Sequence, residues 1–362
     1  VQDATSLVEA ISQGLEKFVA ARRREAAEFG DEAILIVDHG GAAVHGGKRL
    51  RGRFLAAGWH AVADRSSDRP ADDAMLAAAC ALEVFQAAAL VHDDIIDNAD
   101  TRRGRPSAHR ALEAAHRDRG WAGDAAAFGR SGAVLLGDLL VAWSDDLLEE
   151  ALALSPATAA AARAEYALMR REVTMGQFLD VAEESAWNRV PDTQHAERAL
   201  RVASLKSARY SVERPLLIGA ALAGGDDDQL AALSDFGHRI GLAFQLRDDV
   251  LGVFGDSAET GKPAGDDLRE GKRTALIAWA RDAVPASARR TIDELLGDPT
   301  LEDAQISMLA STIRSSGALD RAEQTIARLA REAVQSLSGA RLDNAAVAYL
   351  RDLARAATQR TA

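Results

Sequence analysis

The chain has little in it that could cross-link, stack or stiffen. Among 362 residues there is one cysteine, Cys80, so no intramolecular disulfide can form and a reducing compartment is expected. Cys80 lies in an apolar helical stretch and reads as small core filler. Aromatic residues make up only 5% of the chain against 48% hydrophobic. The core must therefore be built mostly from Ala, Leu and Val, a mixture that favours helix packed on helix. Positive charge is also short, with 43 Lys plus Arg against 55 Asp plus Glu and a formal charge of −12. A nucleic-acid surface, which needs a basic face, is thereby disfavoured. No run approaches the roughly 18 uncharged apolar residues that span a bilayer, and VQDATSLVEAISQGLEKF lacks the basic-then-apolar order of a signal peptide. A cytoplasmic protein is the expectation. A Pro/Gly/Ser-rich linker is missing too, so residues 1–362 read as one domain.

What is present is helical periodicity from end to end, with strand-like alternation scarce. It predicts helices over about 4–28, 31–44, 48–63, 72–97, 107–117, 129–152, 156–184, 192–221, 226–254, 272–281, 287–295, 302–315 and 319–358. The fold class is all-α, a single-domain helical bundle. Turn chemistry marks Gly40-Gly41, Gly46-Gly47, residues 66–70 and Gly224-Gly225, and Asp226 to Asp228 should cap the helix that follows. Residues 116–131, with Trp121 and Phe128, read as a polar surface connection.

Residues 90–110, LVHDDIIDNADTRRGRPSAHR, end an apolar helix with Asp93, Asp94 and Asp97. At about 100° per residue, Asp93 and Asp97 stand about 40° apart and one turn along the same face. Two carboxylates thus aim at one point. Magnesium takes oxygen ligands and is typically held by one or two carboxylates plus substrate phosphates. Ordinary solvated charge at a helix end is the alternative. Arg102, Arg103 and Arg105 follow directly, and guanidinium beside carboxylate suits a magnesium diphosphate better than either suits solvent. His92 adjoins the cluster but is turned about 100° from Asp93, so a catalytic role is not assigned to it.

A second apolar helix end lies in FQLRDDVLGVFGDSAETGKPAGDDLREGKRT, residues 244–274, with Gln245, Asp248, Asp249 and Asp256. A Gly-rich loop carrying Lys262, Asp266, Asp267 and Lys272 follows it. Either cluster alone could be a capping arrangement. Together, each with cations downstream, they suggest opposed walls of a cavity holding metals and a diphosphate.

With these paired motifs the chain resembles the trans-isoprenyl diphosphate synthases, also called polyprenyl synthetases, over about residues 40–280, most nearly a geranylgeranyl diphosphate synthase. The resemblance implies an all-α homodimer whose central cavity receives a growing isoprenoid tail. It implies condensation of isopentenyl diphosphate with an allylic diphosphate, using about three Mg2+ ions per site. Asp93 and Asp97 would ligate two of them and Asp248 a third, with Asp94 and Asp249 in support. Lys48 and Arg51 in GGKRLRGR, with Gln86 and Arg103, would hold the diphosphate of isopentenyl diphosphate, and Arg102 the allylic diphosphate. Lys206, Lys262 and Lys272 would grip the leaving diphosphate, Arg102, Lys206 and Lys262 acting in catalysis, with Gln245 nearby. Gln177 and Asp180 in MGQFLD would face the metals, and Asp267, beside Asp266, matches an acid near the third ion. One departure stands out. The fifth position of the second motif is Gly252 instead of Asp, with Asp256 arriving four residues later.

In the family the released diphosphate accepts the departing proton, so no side-chain base is required. Product length would be set where the tail passes Ala89 and Ala88, four and five residues before Asp93, with Phe85 as the next floor. Two alanines leave room for a product longer than fifteen carbons, and geranylgeranyl diphosphate is the expected one. A terpene cyclase would share the first motif but carry an Asn/Ser/Glu triad where Asp248 and Asp249 stand. A non-catalytic or weakly active regulatory subunit would tend to lose the Asp motifs, which this chain keeps.

Overall fold

The computed structural model describes residues 4–63, 69–255 and 265–358. It is 83% helical, and the all-α expectation holds. Two compact units emerge, Val1–Arg163 with Ile218–Gly224, and Ala164–Leu217 with Gly225–Ala362.

The first unit contains α1 (Ala4–Ala26), α2 (Asp31–Val44), α3 (Leu50–Val62), α4 (Arg69–Ile96), α5 (Ala108–Asp118) and α6 (Ala125–Leu154). Helix α4 is its core. Ala74, Ala78, Ala81, Leu82, Val84, Phe85 and Ala88 are all buried, as expected of a helix that is apolar nearly all round. Small side chains let α6 come close, and the buried Ser144 hydroxyl donates to the Ala81 carbonyl at 2.6 Å. Gly40 and Gly41 do not make the turn that their doublet suggested. They lie inside α2, where a Cβ on Gly40 would stand 2.9 Å from the Trp143 ring, so the glycine serves close packing. The turn forms at Gly46-Gly47 as expected, with φ of 74° and 93°. Helix α6 starts earlier than periodicity indicated because the Asp124 side chain caps it, accepting from Ala126 N at 2.8 Å and Ala127 N at 3.1 Å. Just before it, Trp121 packs edge-on against Phe128, with ring centres 5.3 Å apart.

The expectation that no segment approaches membrane-spanning length needs correction. Asp72–Ile96 and Ala125–Leu154 are both long and apolar enough by length and composition. The apolar stretch of the first is 72% buried inside the protein, which is how a core helix passes the same test.

The second unit contains most of α7 (Ala159–Ala186), then α8 (Asp192–Val202), and a π-helical stretch Ala203–Glu213 that leads into α9 (Arg214–Leu222). Next come α10 (Asp227–Phe254), α11 (Asp266–Glu270), α12 (Ala275–Ala283), α13 (Ala286–Leu295), α14 (Asp303–Ser315), α15 (Ala318–Ser336) and α16 (Asn344–Thr358). Leu246, Val250 and Val253 of α10 form a continuous core with Leu276 and Ile277 of α12 and Ile326 of α15. Asp226 caps α10 as foreseen, in a full capping box with Gln229: its side chain accepts from Gln229 N at 2.9 Å, and its own N–H donates to Gln229 Oε1 at 3.0 Å. Two expected helices are broken. The 192–221 helix is interrupted by the π-helical stretch, and the 319–358 helix divides at Gly339, whose φ of 94° no α-helix accommodates. Asp343 then starts α16 by accepting from Ala346 N at 2.9 Å.

Candidate active site: two carboxylate and cation clusters

In the first unit, Gln86, Ala89 and Asp93 are half-buried and Asp97 exposed, and their spacing puts them on one stripe of α4. The rest of the helix there is packed: Phe85 is 6% and Ala88 1% exposed. Helical hydrogen bonding continues past Ile96, since Asp97 N donates to Asp93 O at 2.9 Å, and the two carboxylates stay one turn apart. Asp94, about 100° round the helix from Asp93, is 2% exposed. Burial raises its pKa, opposed by Arg102. Arg102 Nε donates to Asp94 Oδ1 at 2.8 Å, its Nη2 bonds the same oxygen, and Nη2 lies 3.7 Å from Asp93 Oδ2. Burial works against the Arg102 charge, but Asp94 and Asp93 outweigh it and the guanidinium pKa rises.

Arg102 is delivered by a feature that periodicity could not show, a tiny antiparallel hairpin. Thr101–Arg102 pairs with Arg105–Pro106, and the two residues between them, Arg103 and Gly104, have φ of 53° and 73°. Positive φ at both central positions is the I′ geometry that suits strand twist, and it costs a non-glycine residue on the order of 1 kcal/mol. Arg103 is thereby turned toward the loop after α2, where its Nη1 would stand 3.2 Å from a Cβ on Gly47. Burial, with Arg49 next, lowers the Arg103 pKa, and Arg102 and Arg51 add to the effect. Arg103 thus senses three other guanidinium groups, with Glu83 opposing them, and such an excess of cations suits an anion.

Lys48 is exposed and Arg51 half-buried. Two residues beside them were missed from sequence. Arg49 is buried with φ 49°, and its Nη1 donates to Val44 O at 2.8 Å and lies 3.8 Å from Glu83 Oε2. Glu83 also accepts from Gly52 N at 3.0 Å, which ties the start of α3 to α4. A lone charge within ALEVFQ was the available signal. His92 turns to α6 as its angle implied, with Nε2 3.3 Å from Val134 O and 3.6 Å from Asp138 Oδ1.

In the second unit, Asp249 on α10 is 5% exposed and accepts from Gln245 Nε2 at 2.7 Å. Burial pushes its pKa up to about 8; Asp267 and Asp248 add to the rise, while Gln245 and Lys272 oppose it. Lys272 Nζ donates to Asp267 Oδ1 at 3.0 Å and lies 2.7 Å from Glu270 Oε2. Burial opposes the Lys272 charge, but these two acids outweigh it and raise its pKa. Lys206, on the π-helical stretch, donates to Asp180 Oδ2 of α7 at 2.6 Å. Glu184, one turn beyond Asp180 and not foreseen, has its pKa raised by burial and then by Asp180, against Lys206, Arg273 and Lys272. One group of acids and cations thus joins α7, the π-helical stretch, α10 and the α11–α12 segment. Gln177 shares α7 with Asp180, and Asp266 opens α11. Lys262 and Asp256 lie outside the described residues.

Among the described residues no trio of His, Cys, Asp or Glu side chains converges to hold an ion by itself. The donors are carboxylate oxygens, and one or two of these completed by phosphate and water is the usual surrounding of Mg2+. The residues fit that ion brought in with a diphosphate.

Comparison with known proteins adds the following. The polyprenyl synthetase family matches residues 38–313, a longer span than the motifs alone outlined. A geranylfarnesyl diphosphate synthase of Aeropyrum pernix is 32% identical over 289 residues, 78% of this chain and 81% of that protein. A nonaprenyl diphosphate synthase of Mycobacterium tuberculosis is 28% identical over 325 residues, 90% of this chain and 85% of that protein. The crystal structure of a geranylgeranyl pyrophosphate synthase of Corynebacterium glutamicum, complexed with isoprenyl diphosphate and magnesium, is 39% identical. It superposes with a TM-score of 0.91, over 99% of this chain and 100% of that one.

Proposed function

This chain belongs to the polyprenyl synthetase family and is a trans-prenyl diphosphate synthase, and from that premise we propose that it elongates an allylic diphosphate with isopentenyl diphosphate to geranylgeranyl diphosphate. Relatives make products from C20 to C45. The observation that carries the reading is the pairing of acids with cations in both units: Asp93, Asp94 and Asp97 with Arg102, and Asp249 and Asp267 with Lys272.

In this reading Asp93 and Asp97 would hold Mg2+ and Asp248 a further ion, for about three in all. When bound, the metal draws charge from the leaving diphosphate as its carbon–oxygen bond ionises. Asp94 and Asp249 support the ligands, Asp94 by fixing Arg102 over the cluster and Asp249 through Gln245. Arg102, Lys206 and Lys272, with Lys262, give the departing oxygens positive partners. Asp180 and Asp267 hold Lys206 and Lys272 in place. Lys48, Arg51, Gln86 and Arg103 bind the diphosphate of isopentenyl diphosphate, a role supported by the three further guanidinium groups, Arg49, Arg102 and Arg51, that act on Arg103. The alkene of isopentenyl diphosphate attacks the allylic cation, and the released diphosphate takes the proton.

The stripe on α4 bears on product length. Ala89 lies on it with Gln86 and Asp93, Phe85 lies buried one turn before Ala89, and Ala88 is packed about 100° round from Ala89. Ala89→Phe should therefore shorten the product, and Ala88→Phe should do so less while costing about 1–3 kcal/mol by overpacking. Product sizing decides between them.

A homodimer is supported by α6, which leaves Val134 44% and Leu135 61% exposed. Light scattering on the wild type and on Leu135→Glu tests it. A cytoplasmic site of action is supported by the single buried cysteine, Cys80, and cell fractionation tests it. The whole chain, residues 1–362, is proposed to act as one catalytic domain. The decisive assay is incubation with isopentenyl diphosphate, magnesium and dimethylallyl, geranyl or farnesyl diphosphate in turn, followed by product sizing. No turnover with any primer overturns the proposal.

A further inference from the structure

Gly252 is the residue at which the second motif departs from DDxxD, and the structure gives that departure a physical cause. A Cβ built on Gly252 would stand 1.9 Å from Asp267 Oδ2, 2.3 Å from its Cγ and 3.0 Å from Oδ1. The space beside α10 that a fifth motif side chain would take is already filled by a carboxylate arriving from α11. That carboxylate is held there: Lys272 donates to Oδ1 at 3.0 Å, Lys272 N donates to Asp267 O at 3.1 Å, and the Asp267 side chain is only 13% exposed. Gly252 lies three residues after Asp249 and four after Asp248, so the borrowed carboxylate stands one turn along from both.

We propose that Gly252 is a positioning residue: the side chain it lacks is the seat of the Asp267 carboxylate, which supplies through space the acid that the motif does not supply in sequence. The inference rests on the proposed function for its chemistry, but its geometry is independent of product or primer. Restoring the missing acid there displaces the one already present. The second motif is complete only as the pair Gly252 and Asp267.

The test uses the full chain in four variants: Gly252→Ala, Gly252→Asp, Asp267→Ala, and Gly252→Asp with Asp267→Ala. Calorimetric titration of Mg2+ in the presence of inorganic diphosphate gives the metal affinity without turnover, and a melting curve of the metal-free protein checks folding. Gly252→Ala pushes the carboxylate from its seat and Asp267→Ala removes it. Each is expected to weaken Mg2+ binding about 10-fold, the lower end of what loss of a supporting carboxylate does. Each should also lower kcat while leaving KM for isopentenyl diphosphate unchanged. The double variant, with one acid back in the same space, is expected to return to within about threefold of wild type, and Gly252→Asp alone is expected to fall below it.

A folded Gly252→Ala protein with unchanged Mg2+ affinity overturns the proposal, as does a double variant no better than Asp267→Ala. Should Gly252→Ala fail to fold, the comparison of Asp267→Ala with the double variant decides alone. A wild type that binds Mg2+ and diphosphate yet elongates no primer removes the proposed function and leaves this comparison standing. A wild type that binds neither overturns both.

Discussion

The two acid clusters solve the problem of waiting for a metal in different ways. Around Asp94 the negative charge is balanced by a permanent cation, because Arg102 bonds Asp94 directly and reaches toward Asp93. Around Asp249 the balance comes from a retained proton: the carboxyl is buried among Asp248 and Asp267, and its pKa rises to about 8. Burial raises the carboxyl pKa in both clusters; in the first a bonded guanidinium opposes the rise, and in the second two neighbouring acids add to it. A carboxyl that is neutral near physiological pH gains its charge most readily when a cation arrives, so the second cluster should couple metal binding to proton release.

Asp93→Ala and Asp248→Ala sharpen the comparison where it predicts sameness. Each should lower kcat on the order of 10²- to 10³-fold in the elongation assay, and a large inequality between them would show that only one cluster carries the chemistry. The next effect separates the clusters. Arg102→Ala strips the partner from a buried carboxylate and should cost about 2 kcal/mol in urea unfolding. Adding Asp94→Asn should recover most of that loss, since a neutral amide needs no counter-charge.

For the second cluster the corresponding probe is pH. The raised pKa of Asp249 means that the folded chain holds a proton which the unfolded chain releases near its ordinary value of 3.8. Its contribution to stability is therefore complete below about pH 4, and is lost as pH rises toward 8. Melting temperatures of the metal-free protein should show this decline, and Asp249→Asn should flatten it. If Asp249→Asn leaves the profile unchanged, the contrast between the clusters collapses. The smallest effect is a control: Asp226→Ala, at the start of the helix that carries the second cluster, should cost about 1 kcal/mol. Its kcat should not change.

The sequence was most informative where chemistry interrupts a simple pattern. Asp93, Asp94 and Asp97 break an Ala- and Leu-rich run, and their one-turn spacing survives into the fold. Asp226 followed by Gln229 spells out its capping box. Less legible were features that depend on contacts distant in sequence. Gly40 reads as a turn residue until Trp143 is seen against it. The 192–221 helix keeps its apolar spacing while its backbone widens into the π-helical stretch that carries Lys206. Glu83 looks like an isolated charge until Gly52 and Arg49 are found beside it. Gly252 was legible as an absence, but what fills the absence is fifteen residues away and could be seen only in three dimensions.

The two-residue turn at Arg103-Gly104 sends adjacent arginines to separate destinations, Arg102 to the acids of α4 and Arg103 to the loop at Gly47. That division depends on counting. One residue inserted before Arg102 would exchange the faces on which the two side chains leave the ribbon. The segment is therefore sensitive to its length as well as to its residues. A shift of one residue in its spacing to Asp97 would mark a related protein in which the two anion positions have traded cations.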